Sequence, residues 1–164
     1  MTKAEKQEEV AEKKVTFAQP DDITQILGFA YKTYEDVKLE EAEPSFKKIT
    51  AEITDAVVQE VALVIRNEED PKFIDACMVF KHAEPWWSEQ VMLKQLFFYV
   101  KPELRGKGLF NDLLNAAEEY GKMSGLTVIQ DIIGEGFEKK GKTLLKRGYA
   151  PIGSTHILTN YTKE

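Results

Sequence analysis

The sequence predicts one α/β (α+β) domain in which a mixed, mainly antiparallel central sheet is flanked by helices. Three observations lead there. The chain has 164 residues, 43% of them hydrophobic, which suffices for a single core at an ordinary surface composition. Apolar positions recur at helical spacing in some segments and alternate in others. In the middle of the chain, strand-like runs follow one another through connections short enough for antiparallel pairing, whereas towards both ends strands alternate with helices.

Residues 1–14 mix Lys and Glu with little that is apolar beyond Val10, too little burial to offset the entropy of ordering. They are expected to form a charged flexible tail, leaving 15–164 as the domain. Val15, Thr16 and Phe17 read as a short strand. Pro20, Asp21 and Asp22 punctuate a helix start, and Ile23, Ile26, Leu27, Ala30, Tyr31 and Tyr34 then share a helical face. Residues 35–44 lack apolar periodicity and carry Glu35, Asp36, Glu40, Glu41 and Glu43, so an acidic loop is expected. Ser45 can cap a second helix with Phe46, Ile49, Ile53 and Val57 turned inward.

Strands are expected at 60–66, 73–82 and 91–100. The last is apolar on both alternating faces, with Met92, Leu96, Phe98 and Val100 on one and Val91, Leu93, Phe97 and Tyr99 on the other. That pattern belongs to a central strand covered on both sides. Leu109, Phe110, Leu113, Leu114, Ala117 and Tyr120 mark a third helix that ends near Gly121 to Gly125. A buried strand at 128–133, a short basic helix at 138–147 stopped by Gly148, and a closing strand at 155–161 complete the order.

Asp and Glu number 28 against 22 Lys and Arg, a net charge of −6, which opposes binding to nucleic acid or anionic lipid through a global positive field. No apolar run approaches the roughly 18 residues of a membrane span, and the N-terminal residues lack the apolar stretch of a signal peptide. A soluble, cytoplasmic protein without membrane or nucleic-acid partners is expected. The single cysteine, Cys77, excludes an internal disulfide and a Cys-based metal site, and its apolar surroundings predict burial.

The segment from Tyr99 through Arg105, Gly106, Lys107 and Gly108 to Phe110 sets a glycine turn between a buried strand and a helix. Free first-turn amides and the helix dipole there favour an anion, and glycine allows a phosphate to approach the backbone. This segment resembles the GNAT superfamily of acyl-CoA-dependent N-acyltransferases, whose signature is Arg or Gln, two residues, Gly, one residue, then Gly or Ala, after a Val-x-Pro-Glu strand end. Arg105 and Gly108 match it. The element order from Val15 to Tyr161 is also that family's order, and Lys146, Arg147, Gly148 and Tyr149 look like its closing segment.

The resemblance implies a bulge that splays the strand ending at Val100 from the strand near Val128, opening a V-shaped cleft for acetyl-CoA or CoA. Backbone groups of Phe98, Tyr99 and Val100 would bind the pantetheine arm. Arg105 and the amides of Gly106, Lys107, Gly108, Leu109 and Phe110 would bind the pyrophosphate. The implied activity is acetyl transfer to a primary amine on a small molecule or a protein. Two positions depart from the pattern. Phe110 replaces the small residue, either narrowing the pyrophosphate approach or turning into the core. Leu144 stands where many members carry a tyrosine general acid, and Lys94 and Gln95 offer no carboxylate base, so no catalytic side chain is assigned. His82, Glu84 and Asp131 are weaker candidates near the cleft. The basic group Lys139, Lys140, Lys142, Lys146 and Arg147 is read either as a site for a further phosphate or as a solvated helix face.

Gly136, Gly141, Lys142 and Thr143 also satisfy P-loop spacing, but the helix expected to end at Gly148 and Pro151 is too short for that fold, so the match is read as coincidental. Trp86 and Trp87 share one short connection and are read equally as a partner contact or as a lid folded over the sheet. With Glu84 and Pro85 before the glycine loop, this tip resembles small acetyltransferase-like proteins of bacteriophages. That resemblance implies the alternative function: a non-catalytic binding or structural protein, associated with a virion or a host partner. The acidic loop, on the acceptor side in the family's arrangement, would favour a cationic amine, and the alternating edge after Ile157 would permit a homodimer.

Overall fold

The first strand, β1 (Val15–Phe17), leads through a 3-10 turn at Pro20–Asp22 into α1 (Ile23–Val37). The Asp22 carboxylate accepts the Gln19 N–H at 2.7 Å and is held by both Arg66 guanidinium nitrogens at 3.0 and 2.7 Å. The helix start read from Pro20 to Asp22 therefore also ties α1 to the sheet. The computed structural model describes residues 15–37, 43–132 and 136–152. The tail at 1–14 and the closing strand at 155–161, with its dimer edge, lie outside the described residues.

α1 runs three residues past the expected apolar face, so Glu35 and Asp36 are helical rather than part of a loop. No Gly or Pro stops the helix after Tyr34, and Glu is a good helix former. Glu40 and Glu41 lie outside the described residues. α2 (Phe46–Val58) is capped as expected, Ser45 Oγ accepting the Lys48 N–H at 3.3 Å. Ile53, Ala56 and Val57 are buried, but Phe46 is not part of the inner face: it is 61% exposed and stacks on Tyr31 with ring centroids 6.0 Å apart. At the first helical position it lies at the margin of the sheet's cover, where another helix side chain is the nearest apolar surface.

β2 (Ala62–Arg66), β3 (Ile74–Ala83) and β4 (Met92–Val100) form an antiparallel meander with β1 at its edge, and β5 (Thr127–Ile129) adds in parallel beside β4. α3 (Leu109–Ser124) makes the crossover that a parallel neighbour requires. α4 (Phe137–Lys146) follows β5. α1 covers one sheet face, where Phe29 stacks on Tyr99 at 4.6 Å, and α3 buries Leu113, Leu114 and Ala117 on the other. Cys77, on central strand β3, is fully buried.

The register of β4 departs from simple alternation. Val79 faces Phe97 and Phe80 faces Gln95, so Leu96 is an extra residue without a partner in β3. Directly paired residues share a face, and an inserted residue flips the parity beyond it. Leu93 and Gln95 therefore share a face with Phe98 and Val100, while Met92 shares one with Phe97 and Tyr99. The expected grouping of Leu93 with Phe97 and Tyr99, and of Met92 with Phe98 and Val100, is corrected by this bulge.

β5 is shorter than the expected 128–133. It pairs with β4 only through Met92, Leu93 and Lys94, and no strand continues over Gln130 to Ile132. Past Lys94 the bulge turns β4 away, so the chain after Ile129 has no ladder to join. Ile133 lies outside the described residues.

Candidate functional site

Beyond Lys94 one edge of β4 is paired to β3 as far as Val100, and the other has no strand beside it among the described residues. Every second backbone amide and carbonyl on that edge is available to an extended ligand. A cleft of about 560 Å³ opens along it. Phe98, Tyr99, Val100, Arg105, Gly106, Gly108, Leu109 and Phe110 all line this cleft, and Lys107, whose side chain is exposed, does not.

The turn after β4 has the conformation that its glycines permit. Gly106 and Gly108 sit at φ of +82° and +90°, a region that side-chain-bearing residues rarely enter, and Gly108 is the residue before α3. The Asp112 N–H is the first to bond back into α3, on the Gly108 carbonyl at 3.1 Å. Helix geometry leaves the N–H groups of Leu109, Phe110 and Asn111 without an intrahelical acceptor, and all three residues line the cleft. An anion at this end would meet those amides and the positive end of the helix dipole.

Arg105 turns back on the strand, its Nε donating to the Val100 carbonyl at 3.2 Å while its guanidinium lies 3.7 Å from Asp36 and over the Tyr99 ring. Asp36 and Thr33, one helical turn apart, bring α1 to the cleft, a contribution that the acidic-loop reading missed. The helical spacing of those two residues was the available signal. Burial pushes the Tyr99 hydroxyl above its ordinary pKa, and the neighbouring Arg105 charge opposes that shift.

Phe110 takes neither of the two expected positions alone. Its half-buried ring packs on Phe98 at 4.7 Å and forms part of the cleft wall. The Phe98 ring in turn carries the Lys140 ammonium at 4.7 Å from its centroid. The basic group divides: Lys139 and Lys140 line the cleft, whereas Arg147 turns to α3, bonding Glu118 at 2.8 and 2.6 Å and Asn115 at 2.5 Å. The Arg147 hydrogen bonds hold the Glu118 carboxyl below its ordinary pKa against the effect of burial.

Leu144, where the resemblance implies a tyrosine, is buried in the core. His82 contacts Gln59 at 2.8 Å, and neither it nor Glu84 lines the cleft. Asp131 does, with its carboxylate 3.2 Å from Lys94 and its carbonyl accepting the Gln95 side-chain amide at 2.9 Å. Lys94 pairs in the ladder with β5, so its ammonium reaches the same end of the cleft. Gly141, Lys142 and Thr143 lie inside α4, so the P-loop match contains no phosphate-wrapping loop. Trp86 and Trp87 are 92% and 61% exposed and pack edge to face on each other, which rules out the lid reading. Among the described residues no cluster of His, Cys, Asp and Glu could hold a metal ion, and no helix is long and apolar enough to cross a membrane.

No family model and no curated protein matches the sequence. Solved structures do match the fold. A ribosomal-protein-alanine N-acetyltransferase from Brucella melitensis biovar Abortus 2308 superimposes with a TM-score of 0.65 at 13% identity, covering 90% of this chain and 97% of its own. A GNAT-family acetyltransferase from Listeria monocytogenes 4b F2365 gives 0.62 at 17% identity, over 86% of this chain and 88% of its own. The protein has the GNAT fold. A predicted acetyltransferase from Clostridium acetobutylicum, solved with acetyl-CoA, matches this GNAT-fold chain with a TM-score of 0.61 at 16% identity, over 88% of it and 94% of its own length. The splayed β4 and β5, the glycine turn and the α3 N-terminus thus sit in a fold whose solved examples include acetyltransferases.

Proposed function

We propose that the protein is an N-acetyltransferase that takes the acetyl group of acetyl-CoA to a primary amine. The observation that carries this reading is the open edge of β4 running directly into a glycine turn with unpaired helix amides. A ligand with an amide-bearing arm and a diphosphate needs those two features end to end. The acetyltransferases among the structural neighbours, one of them solved with acetyl-CoA, support the same class of chemistry.

Residues of the cleft fit the cofactor. The backbone groups of Phe98 and the N–H of Val100 are available to pair with the arm, whereas the Val100 carbonyl already accepts from Arg105 and the Tyr99 groups face β3. The N–H groups of Gly106, Gly108, Leu109 and Phe110 would hold the diphosphate, with Lys139 and Lys140 adding positive charge nearby, whereas the Lys107 N–H already donates to the Leu104 carbonyl at 3.3 Å. Bound acetyl-CoA supplies an activated thioester. The chain's own part is positioning: the cleft aligns a neutral amine with the thioester, an effect large enough to carry much of such a reaction. Leu144 provides no proton donor where the family's tyrosine stands, so protons exchange through water.

Calorimetric titration with acetyl-CoA tests this, with Gly108→Asp as the control that puts a carboxylate at the α3 N-terminus and a side chain at φ of +90°. Micromolar binding that the variant loses supports the reading. A folded wild-type protein that binds no acetyl-CoA refutes it. The second reading, a binding protein built on this fold, is favoured by the exposed Trp86 and Trp87 pair, a large apolar area at small entropic cost to a partner.

A further inference from the structure

Gln95 stands at the closed end of the cleft, next to the last residue pair that joins β4 to β5 and just before the bulge. Its residue is 2% exposed and its side chain forms part of the cleft wall. The Nε2 group donates to the Asp131 carbonyl at 2.9 Å, a contact that fixes which way the amide points, because the reversed amide would set two acceptors against each other. The remaining atom, Oε1, is shielded from water and has no hydrogen-bond partner among the described residues. An unpaired buried carbonyl of this kind is unfavourable, and native proteins rarely keep one without a use for it.

The carboxylate beside Gln95 is engaged, Asp131 with Lys94, and the other carboxylate of the cleft, Asp36, pairs with Arg105 at the glycine-turn end. Along the open edge, Val100 and Gln95 lie opposite Ala76 and Phe80, four ladder steps or about 13 Å apart, because Leu96 is the extra residue of the bulge. A pantetheine arm extended from the glycine turn spans that distance, which brings its reactive end to Gln95. Among the described residues β5 holds this end through three residue pairs, so a ligand that reaches Gln95 Oε1 has few ladder bonds to displace.

We infer that Gln95 Oε1 accepts a hydrogen bond from the N–H of the reacting amine, and so selects an N–H donor at the throat of the cleft. The inference rests on the acetyl-transfer reading of that cleft. A carboxamide takes up no proton at working pH, so Gln95 orients the amine and does not serve as its base. Attack needs the nitrogen lone pair, so the amine reacts in its neutral form: the C–N bond forms, the C–S bond breaks, CoA leaves as the thiolate, and the proton lost by nitrogen passes through water to that thiolate.

Two CoA thioethers test this without knowing the acceptor. S-carbamidomethyl-CoA places an amide N–H where the amine nitrogen would stand, and S-(2-oxopropyl)-CoA has the same shape with a methyl group instead. Calorimetry on the wild type should give about tenfold tighter binding of the amide, as expected for one hydrogen bond to a buried, otherwise unpaired acceptor. In Gln95→Met, the preference should fall to about one. Equal affinities of the two analogues for the wild type overturn the inference whether or not the variant folds. An amide preference that survives in a folded Gln95→Met also overturns it. If neither analogue nor acetyl-CoA binds the wild type, the acetyl-transfer reading falls and this inference with it. Acetyl-CoA binding without amide preference removes the role of Gln95 alone.

Discussion

Replacing Gly121 by alanine should destabilise the protein, against the ordinary ranking of helix formers. Gly121 is buried inside α3 where the helix crosses β5. A Cβ built there would lie 2.5 Å from Val128 Cγ2 and 3.0 Å from the Leu126 carbonyl oxygen. Carbon atoms pack best at about 3.5 to 4.0 Å, so β5 must retreat or Val128 must turn by about 1 Å. Alanine gains about 1 kcal/mol over glycine in a helix, while overpacking a core typically costs about 1 to 3 kcal/mol. The Leu126 carbonyl is backbone and cannot rotate away, and the Leu126 N–H is already bonded to the Gly121 carbonyl at 2.9 Å. The expected net loss is about 1 kcal/mol, which lowers Tm by about 2 to 4 °C for a domain of this size. Circular-dichroism melts and urea titrations of Gly121→Ala, Val128→Ala and the double variant measure it. The double variant should recover at least about 0.5 kcal/mol relative to additivity, because the two residues meet. A Gly121→Ala protein as stable as the wild type, with no coupling to Val128, would show that β5 retreats freely and that close packing is not the reason for the glycine.

Stability should fall below about pH 4.5. Burial raises the Asp22 pKa, but the hydrogen bonds from Arg66 and the Gln19 amide outweigh it, and Arg147 depresses Glu118 from its ordinary 4.5. The folded state then binds fewer protons than the unfolded chain, so its advantage is present above the unfolded pKa and is lost as pH drops; urea midpoints from pH 6 to 3 read it, and a flat profile is the contrary result. At the alkaline end, burial and then the Glu118 charge push Tyr149 from 10.0 up to about 12. Stability should decline as pH rises from 10 towards 12, and Tyr149→Phe should flatten that decline. Lys139→Gln should weaken CoA binding severalfold at low salt and much less at 0.5 M salt, since exposed charge contributions are screened; equal losses at both salts would exclude a role for its charge. Arg147→Met should cost about 1 kcal/mol by cutting the paired bonds to Glu118, as a thermal melt would show, without changing the helix content of α3.

Local sequence determined much of this protein. Period-two and helical spacing located all four described helices and five strands to within a few residues, because each periodicity follows from the backbone geometry of its element. Capping by Ser45 and the glycine turn at Gly106 and Gly108 were legible for the same reason: a side-chain acceptor or a left-handed φ is a property of one residue. The resemblance carried by Arg105 and Gly108 pointed to the fold.

Tertiary structure decided the rest. The extra residue in β4 shows only in the register against β3, since a strand apolar on both faces has no alternation to betray a slip, and that one residue sets which side chains face each helix layer. The length of β5 depended on where β4 ceased to be its neighbour, so apolar residues 130–132 could not hold a ladder on propensity alone. Whether Trp86 and Trp87 cover the sheet or face water depends on the path of a hairpin that no periodicity encodes. The division of the basic group, with Lys139 and Lys140 at the cleft and Arg147 on Glu118, depended on how α4 meets α3. Gln95 read only as a strand residue that offers no carboxylate base until the fold closed over it and left one oxygen without a partner among the described residues, because hydrogen-bond satisfaction belongs to the assembled core and not to any segment of the chain.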